Sequence, residues 1–139
     1  MQYRPFKELK LSQLGFGTMR FPIKYNNEKL IDEKAAGQCL QTAIDAGVNY
    51  FDTAWPYHKQ ASEPFLGKFL AETGQRDKVQ LATKLPCWQC HDPADADRYL
   101  DEQLKRLQTS HIDFYLLHAL DGYRFKKLLE LGIIDFMNR

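Results

Sequence analysis

Short runs of β-forming residues alternate along the chain with longer stretches whose apolar positions recur every three or four residues. The first pattern predicts buried strands and the second amphipathic helices, so the chain reads as a parallel α/β protein. Four runs are strand-like: Leu14–Gly17, Val48–Asp52, Val79–Lys84 and Ile112–His118, each ending in a glycine or a polar residue. Ahead of them, the alternating residues from Tyr3 to Leu11 predict a small β-hairpin.

The helices between these runs carry their own signals. Asp32 is placed to cap a first helix with apolar Cys39, Leu40, Ala43 and Ile44, and Gly47 supplies its left-handed stop. Ser62 is the expected N-cap of a second, with Glu63 and Pro64 in its first turn, Phe65, Leu66, Phe69 and Leu70 on its apolar face and Gly74 at its end. Asp92-Pro93 marks the start of a third, whose buried stripe is Tyr99, Leu100, Leu104 and Leu107. A last helical stretch, Phe125 to Asn138, has Gly132 as a break. No linker or low-complexity stretch interrupts the pattern, so residues 1–139 are expected to form one domain.

Chemistry gathers at the strand ends. Gly17, Asp52, Lys84 and His118 are spaced by 35, 32 and 34 residues, one strand-helix unit each time. In a (β/α)8 barrel such residues share the C-terminal rim, where active sites are built. Tyr57 follows Asp52 by five residues. Taken singly, these are an ordinary turn aspartate, a surface tyrosine, a solvated lysine and a core histidine; the joint spacing is what makes them a candidate site.

Composition narrows the class. The net charge of +1 comes from 19 basic and 18 acidic residues scattered along the chain, which leaves no electrostatic footprint for nucleic acid or an anionic membrane. Small-molecule chemistry is the expectation. The first ten residues are polar and broken by Pro5, unlike a secretion signal, so a cytoplasmic location is expected. Three cysteines, Cys39, Cys87 and Cys90, form no disulfide framework. Cys87 and Cys90 have the spacing of a zinc or redox pair, with His91 as a third ligand, but a complete four-ligand set is missing and no metal is expected. Cys39 reads as core, and Lys105-Arg106 and Lys126-Lys127 as solvated helix faces.

The run Gly47-Val48-Asn49-Tyr50-Phe51-Asp52-Thr53-Ala54-Trp55-Pro56-Tyr57, continuing through Ser62-Glu63 to Leu66-Gly67, closely resembles the aldo-keto reductase signature after the second barrel strand. Thr83-Lys84 and Leu116-Leu117-His118 fit that family's remaining catalytic positions, and Leu14-Gly15-Phe16-Gly17-Thr18-Met19-Arg20 resembles its first-strand loop. That loop and His118-Ala119-Leu120 look most like a bacterial and archaeal branch often carrying a C-terminal ferredoxin-like iron-sulfur segment. No four-cysteine tail is present, so no iron-sulfur cluster is expected here.

The resemblance implies a (β/α)8 barrel and reduction of aldehyde or ketone carbonyls with a nicotinamide cofactor, usually NADPH, with NADH as the alternative. Tyr57 would protonate the carbonyl oxygen, Lys84 would stabilise the phenolate left behind, Asp52 would hold Lys84 charged, and His118 would hydrogen-bond the carbonyl. Gly17, Thr18, Met19 and Asp52 would contact the cofactor, and Trp55 and Trp88 would wall an apolar substrate pocket. A full barrel takes about 250 residues, and the count here reaches about four β/α units. The expectation is therefore a truncated barrel without most of the later cofactor-binding loops. Its open sheet edges invite self-association. A non-catalytic half-barrel that keeps an unused rim is the competing reading.

Overall fold

The computed structural model describes residues 1–139. β1 (Tyr3–Phe6) and β2 (Leu9–Ser12) form an antiparallel hairpin. β3 (Phe16–Gly17), β4 (Tyr50–Asp52), β5 (Gln80–Leu85) and β6 (Phe114–Leu117) form a parallel sheet in chain order. Helices α1 (Glu33–Asp45), α2 (Ser62–Glu72) and α3 (Asp95–Arg106) connect successive strands, and α4 (Gly122–Glu130) and α5 (Ile133–Met137) follow β6. These are four consecutive β/α units of a (β/α)8 barrel.

Strand alternation sorts the two faces of the sheet. Val79, Phe51 and Leu81 point to the helices and join Ala36 and Leu40 of α1, Leu66 and Leu70 of α2, and Leu107 after α3 in the larger core. Leu40, Leu66, Leu70 and Leu81 are fully buried, each contributing about 1.5–3 kcal/mol relative to exposure. Leu85, Cys87, Cys90, Ala96, Leu128 and Ile133 form a second, smaller core. The opposite set, Tyr50, Asp52, Lys84 and Leu116, stays partly or fully accessible on the other face.

The hairpin is fastened to the N-terminal end of the sheet. Ser12 and Asn49 exchange hydrogen bonds, with Ser12 N donating to Asn49 Oδ1 at 2.8 Å and Asn49 N donating to Ser12 Oγ at 3.0 Å. Phe6 packs on Phe114 at 5.5 Å between ring centroids, and Phe114 on Tyr50 at 5.2 Å. The polar rim residues therefore stand at the far end of the strands from this apolar floor.

Several boundaries differ from the sequence expectation. The strands are shorter at their starts because the preceding residues are engaged elsewhere. Val48 N closes the end of α1 onto Ala43 O, and the Asp113 side chain accepts from Leu81 N at 2.8 Å and from Arg76 Nη2 at 2.8 Å. Asp32 caps α1 as expected, its Oδ1 accepting from Ala35 N at 3.2 Å. Ser62 does not cap α2: it is already helical, and its hydroxyl donates to Thr18 Oγ1 at 2.8 Å instead. Cys39 is exposed, because Ala36 and Leu40 occupy the buried side of α1. The last helical stretch is two helices, split at Gly132, whose φ of 77° ends the first turn-for-turn repeat.

α2 and α3 approach closely at Gly67, where a Cβ would lie 2.4 Å from the Leu107 carbonyl carbon. That approach also overturns the solvated reading of Arg106. Its guanidinium lies over the Trp55 ring at 3.5 Å and 3.7 Å from the buried carboxylate of Glu63.

Candidate active site

Parallel register brings the strand ends level. Gly17 pairs with Asp52, and Asp52 with Ala82, so Lys84 projects two residues beyond Asp52 on the adjacent strand. Lys84 Nζ donates to Asp52 Oδ1 at 2.7 Å, to the Thr53 carbonyl at 2.7 Å and to Tyr57 OH at 3.4 Å. Its side chain is 13% exposed and that of Asp52 is 28% exposed, so the ion pair is partly withdrawn from water and better held than a surface pair. The same ammonium sits 4.9 Å from the Tyr57 ring centroid. Lys84 is therefore a shared node, oriented by two oxygens and presented to the phenol.

His118 follows β6 directly, its backbone N donating to Leu85 O at 3.1 Å. Its ring meets Tyr57 edge-on at 5.9 Å and Trp88 at 5.2 Å. Burial pushes the His118 pKa below the ordinary histidine value, the Lys84 charge pushes it further, and Asp52 opposes both. A neutral imidazole beside a phenol and an ammonium is suited to hydrogen bonding at neutral pH. Met19, Pro56, Tyr57, His58, Trp88 and His118 line a cavity of about 360 Å³ at this mouth.

All four expected catalytic residues thus meet at one site, and Trp88 walls it. Trp55 does not. It is 8% exposed, held between Arg106 and Tyr99, whose ring is 4.8 Å away, because the α3 side of the sheet offers it a cation and an aromatic edge. Of the expected cofactor contacts, Gly17 opens onto free space, since a Cβ there would meet nothing within 4 Å. Met19 is exposed at the cavity, whereas Thr18 is fully buried, donating its N–H to Asp52 O at 2.9 Å. Cys87 and Cys90 lie in the smaller core with their thiols pushed up by burial, Cys90 to about 11, and His91 Nδ1 is 2.8 Å from Lys127 Nζ.

The sequence model of the Aldo/keto reductase family matches residues 13–131. The chain belongs to the aldo-keto reductase family. It is 40% identical over 120 residues to the aldo-keto reductase YhdN of Bacillus subtilis, covering 81% of this chain and 36% of that protein. It is 37% identical over 130 residues to the uncharacterized oxidoreductase YrpG of the same organism, covering 81% of this chain and 38% of that protein. Among solved structures it resembles a putative aldo-keto reductase from Pseudomonas aeruginosa, with a TM-score of 0.73 and 32% identity over 91% of this chain and 49% of that one. An aldo-keto reductase from Klebsiella pneumoniae, solved in complex with NADPH, matches with a TM-score of 0.67 and 27% identity over 88% of this chain and 40% of that one. The chain spans less than half the length of these relatives.

Within this aldo-keto reductase chain, sequence reasoning missed a buried network behind Lys84. Thr83 Oγ1 donates to Glu63 Oε1 at 2.7 Å, and Gln103 Nε2 donates to Thr83 Oγ1 at 3.0 Å and to the Lys84 carbonyl at 3.2 Å. Gln103 Oε1 in turn accepts from Tyr115 OH at 2.8 Å. Burial pushes the Glu63 carboxyl above the ordinary range, against its hydrogen bonds from Thr83 and Gln103 and the fields of Arg106 and Lys84. The one available signal was Gln103, a polar residue between Leu100, Leu104 and Leu107 on the buried side of α3. No helix of the chain is long and apolar enough to cross a membrane.

Proposed function

We propose that this site reduces aldehyde or ketone carbonyls to alcohols, with Tyr57 as the proton donor and a nicotinamide cofactor, NADPH by preference, as the reductant. The observation that carries the reading is Lys84 Nζ, held by Asp52 and the Thr53 carbonyl and set 3.4 Å from Tyr57 OH. The open space at Gly17, beside Asp52, suits a flat ring lying over the strand ends. When bound, a nicotinamide supplies the hydride for the carbonyl carbon.

The remaining work falls to the chain's own residues. Tyr57 OH gives its proton to the carbonyl oxygen as negative charge develops there, and the Lys84 ammonium stabilises the phenolate that remains. Asp52 keeps that ammonium paired and aimed. His118, neutral at physiological pH, hydrogen-bonds the carbonyl oxygen and holds it against the phenol. Trp88 closes an apolar side of the cavity and sheds water from the reacting carbonyl.

Titration of the purified chain with NADPH, read by nicotinamide fluorescence, tests this directly. A saturable change is expected. Its absence up to millimolar cofactor would overturn the reading and leave the alternative, an association module with an unused rim.

A further inference from the structure

His58 follows the proposed proton donor and is buried, with 8% of its surface exposed. Its two ring nitrogens face opposite kinds of partner. Nε2 lies 3.0 Å from the Phe21 backbone N–H, which can only donate, and Nδ1 lies 2.9 Å from the Glu28 carbonyl oxygen, which can only accept. The ring is therefore neutral with its proton on Nδ1.

Both partners belong to the loop of residues 18–32 between β3 and α1. From residue 19 to residue 31, the backbone hydrogen bonds of that loop stay within it or run to its own end: Lys24 N to Leu30 O, Asn27 N to Lys24 O, Leu30 N to Asn27 O, Asp32 N to Pro22 O. Thr18, at the loop's start, is bonded to Asp52 O and to the Ser62 hydroxyl; beyond it, the two bonds to His58 are the hydrogen bonds that tie residues 19–31 to the rest of the chain. An exposed pair, Lys59 Nζ to Glu28 Oε2 at 3.2 Å, adds little in water. The loop supplies Met19 and Glu28 to the cavity, facing Tyr57, Trp88 and His118. Phe21, tilted against the His58 ring at 5.7 Å and edge-on to Phe65 at 5.2 Å, anchors the loop's root in the core.

We propose that His58 is a positioning residue for the carbonyl site: its imidazole clips the 18–32 loop against the segment that carries Tyr57, and so sets the width of the cavity in which the carbonyl group must lie. The effect on substrate rests on the reductase reading above, whereas the clip itself is a property of the chain without cofactor. A clip made of one ring and two backbone groups is sensitive to the side chain at position 58 and insensitive to its charge pair on the surface.

Amide hydrogen exchange on the 139-residue chain, with ¹⁵N detection of the histidine rings, separates these statements. In the native chain the His58 ring should show the Nδ1-protonated tautomer, and the Phe21 amide should be protected. His58→Leu should speed exchange of the Phe21 amide at least tenfold and shift the His118 ring signals, while the Leu81 and Thr53 amides of the sheet keep their protection. His58→Gln, which retains a donor and an acceptor, should restore part of both. An Nε2-protonated ring, an unchanged Phe21 amide in the Leu variant, or equal loosening of loop and sheet in both variants would overturn the proposal. Exchange does not require turnover, so an inactive chain with a released loop would remove the reductase reading and leave the clip standing.

Discussion

At the scale of single residues, the site depends on charge placed beside a weak acid. Removing the ammonium by Lys84→Met leaves Asp52 without its partner and the phenolate without its stabilising charge. Carbonyl reduction should fall by about 10²–10⁴-fold, measured as kcat/KM. His118 links the site to pH. Its folded pKa is lowered by burial and by Lys84, so the unfolded chain takes up a proton first as pH falls. The contribution is full above the ordinary histidine value of about 6.5 and is lost as pH falls through the folded value. In urea titrations, the native chain should therefore lose more stability between pH 7.5 and pH 5.5 than His118→Gln does; equal losses would show that the folded imidazole is not depressed. The left-handed run at His58, Lys59 and Gln60, with φ of 53°, 51° and 73°, supplies a third test. Neither Lys59 nor Gln60 makes a buried contact, so Lys59→Gly should relieve strain and stabilise the chain by about 0.5–1 kcal/mol, seen as a higher Tm.

At the scale of elements, the sequence revealed which segments form the fold more clearly than where they begin. The apolar runs ending at Asp52, Lys84 and His118 announced three strands, since both the run and its polar end are local properties. Their starts were not legible, because Val48 is drawn back onto Ala43 O at the end of α1 and the Asp113 side chain takes the Leu81 N–H of the neighbouring strand. The four candidate catalytic residues were legible because a barrel repeats its strand ends at a nearly constant interval, with Tyr57 in the loop just after one of them. Gln103 and Arg106 were not, since a polar residue on a helix gives no local sign that a buried carboxylate waits across the interface. Trp55 was misplaced for the same reason: its partner is Arg106, on another helix. The close contact of α2 and α3 makes this interface testable. Gly67→Ala would set a methyl 2.4 Å from the Leu107 carbonyl carbon, and the helix shift it forces should destabilise the chain by about 1–3 kcal/mol in denaturant unfolding.

At the scale of the whole molecule, the sheet is open. β3 and β6 each have one hydrogen-bonded neighbour, and Leu116 is 38% exposed on the face a barrel would enclose. Unpaired parallel edges beside apolar surface favour association. Sedimentation velocity should show the weight-average coefficient rising with protein concentration; a constant monomer value across the micromolar range would contradict this. The proposed chemistry, however, belongs to the rim and not to the edges. Its most direct test is the NADPH-dependent reduction of an aromatic aldehyde by the native chain and by Tyr57→Phe, followed by loss of the cofactor's absorbance. Turnover by the native chain, with kcat/KM lower by about 10²–10⁴-fold in the variant, is the predicted result; no turnover by the native chain, or equal rates for the two, would contradict the assignment of Tyr57 as the proton donor.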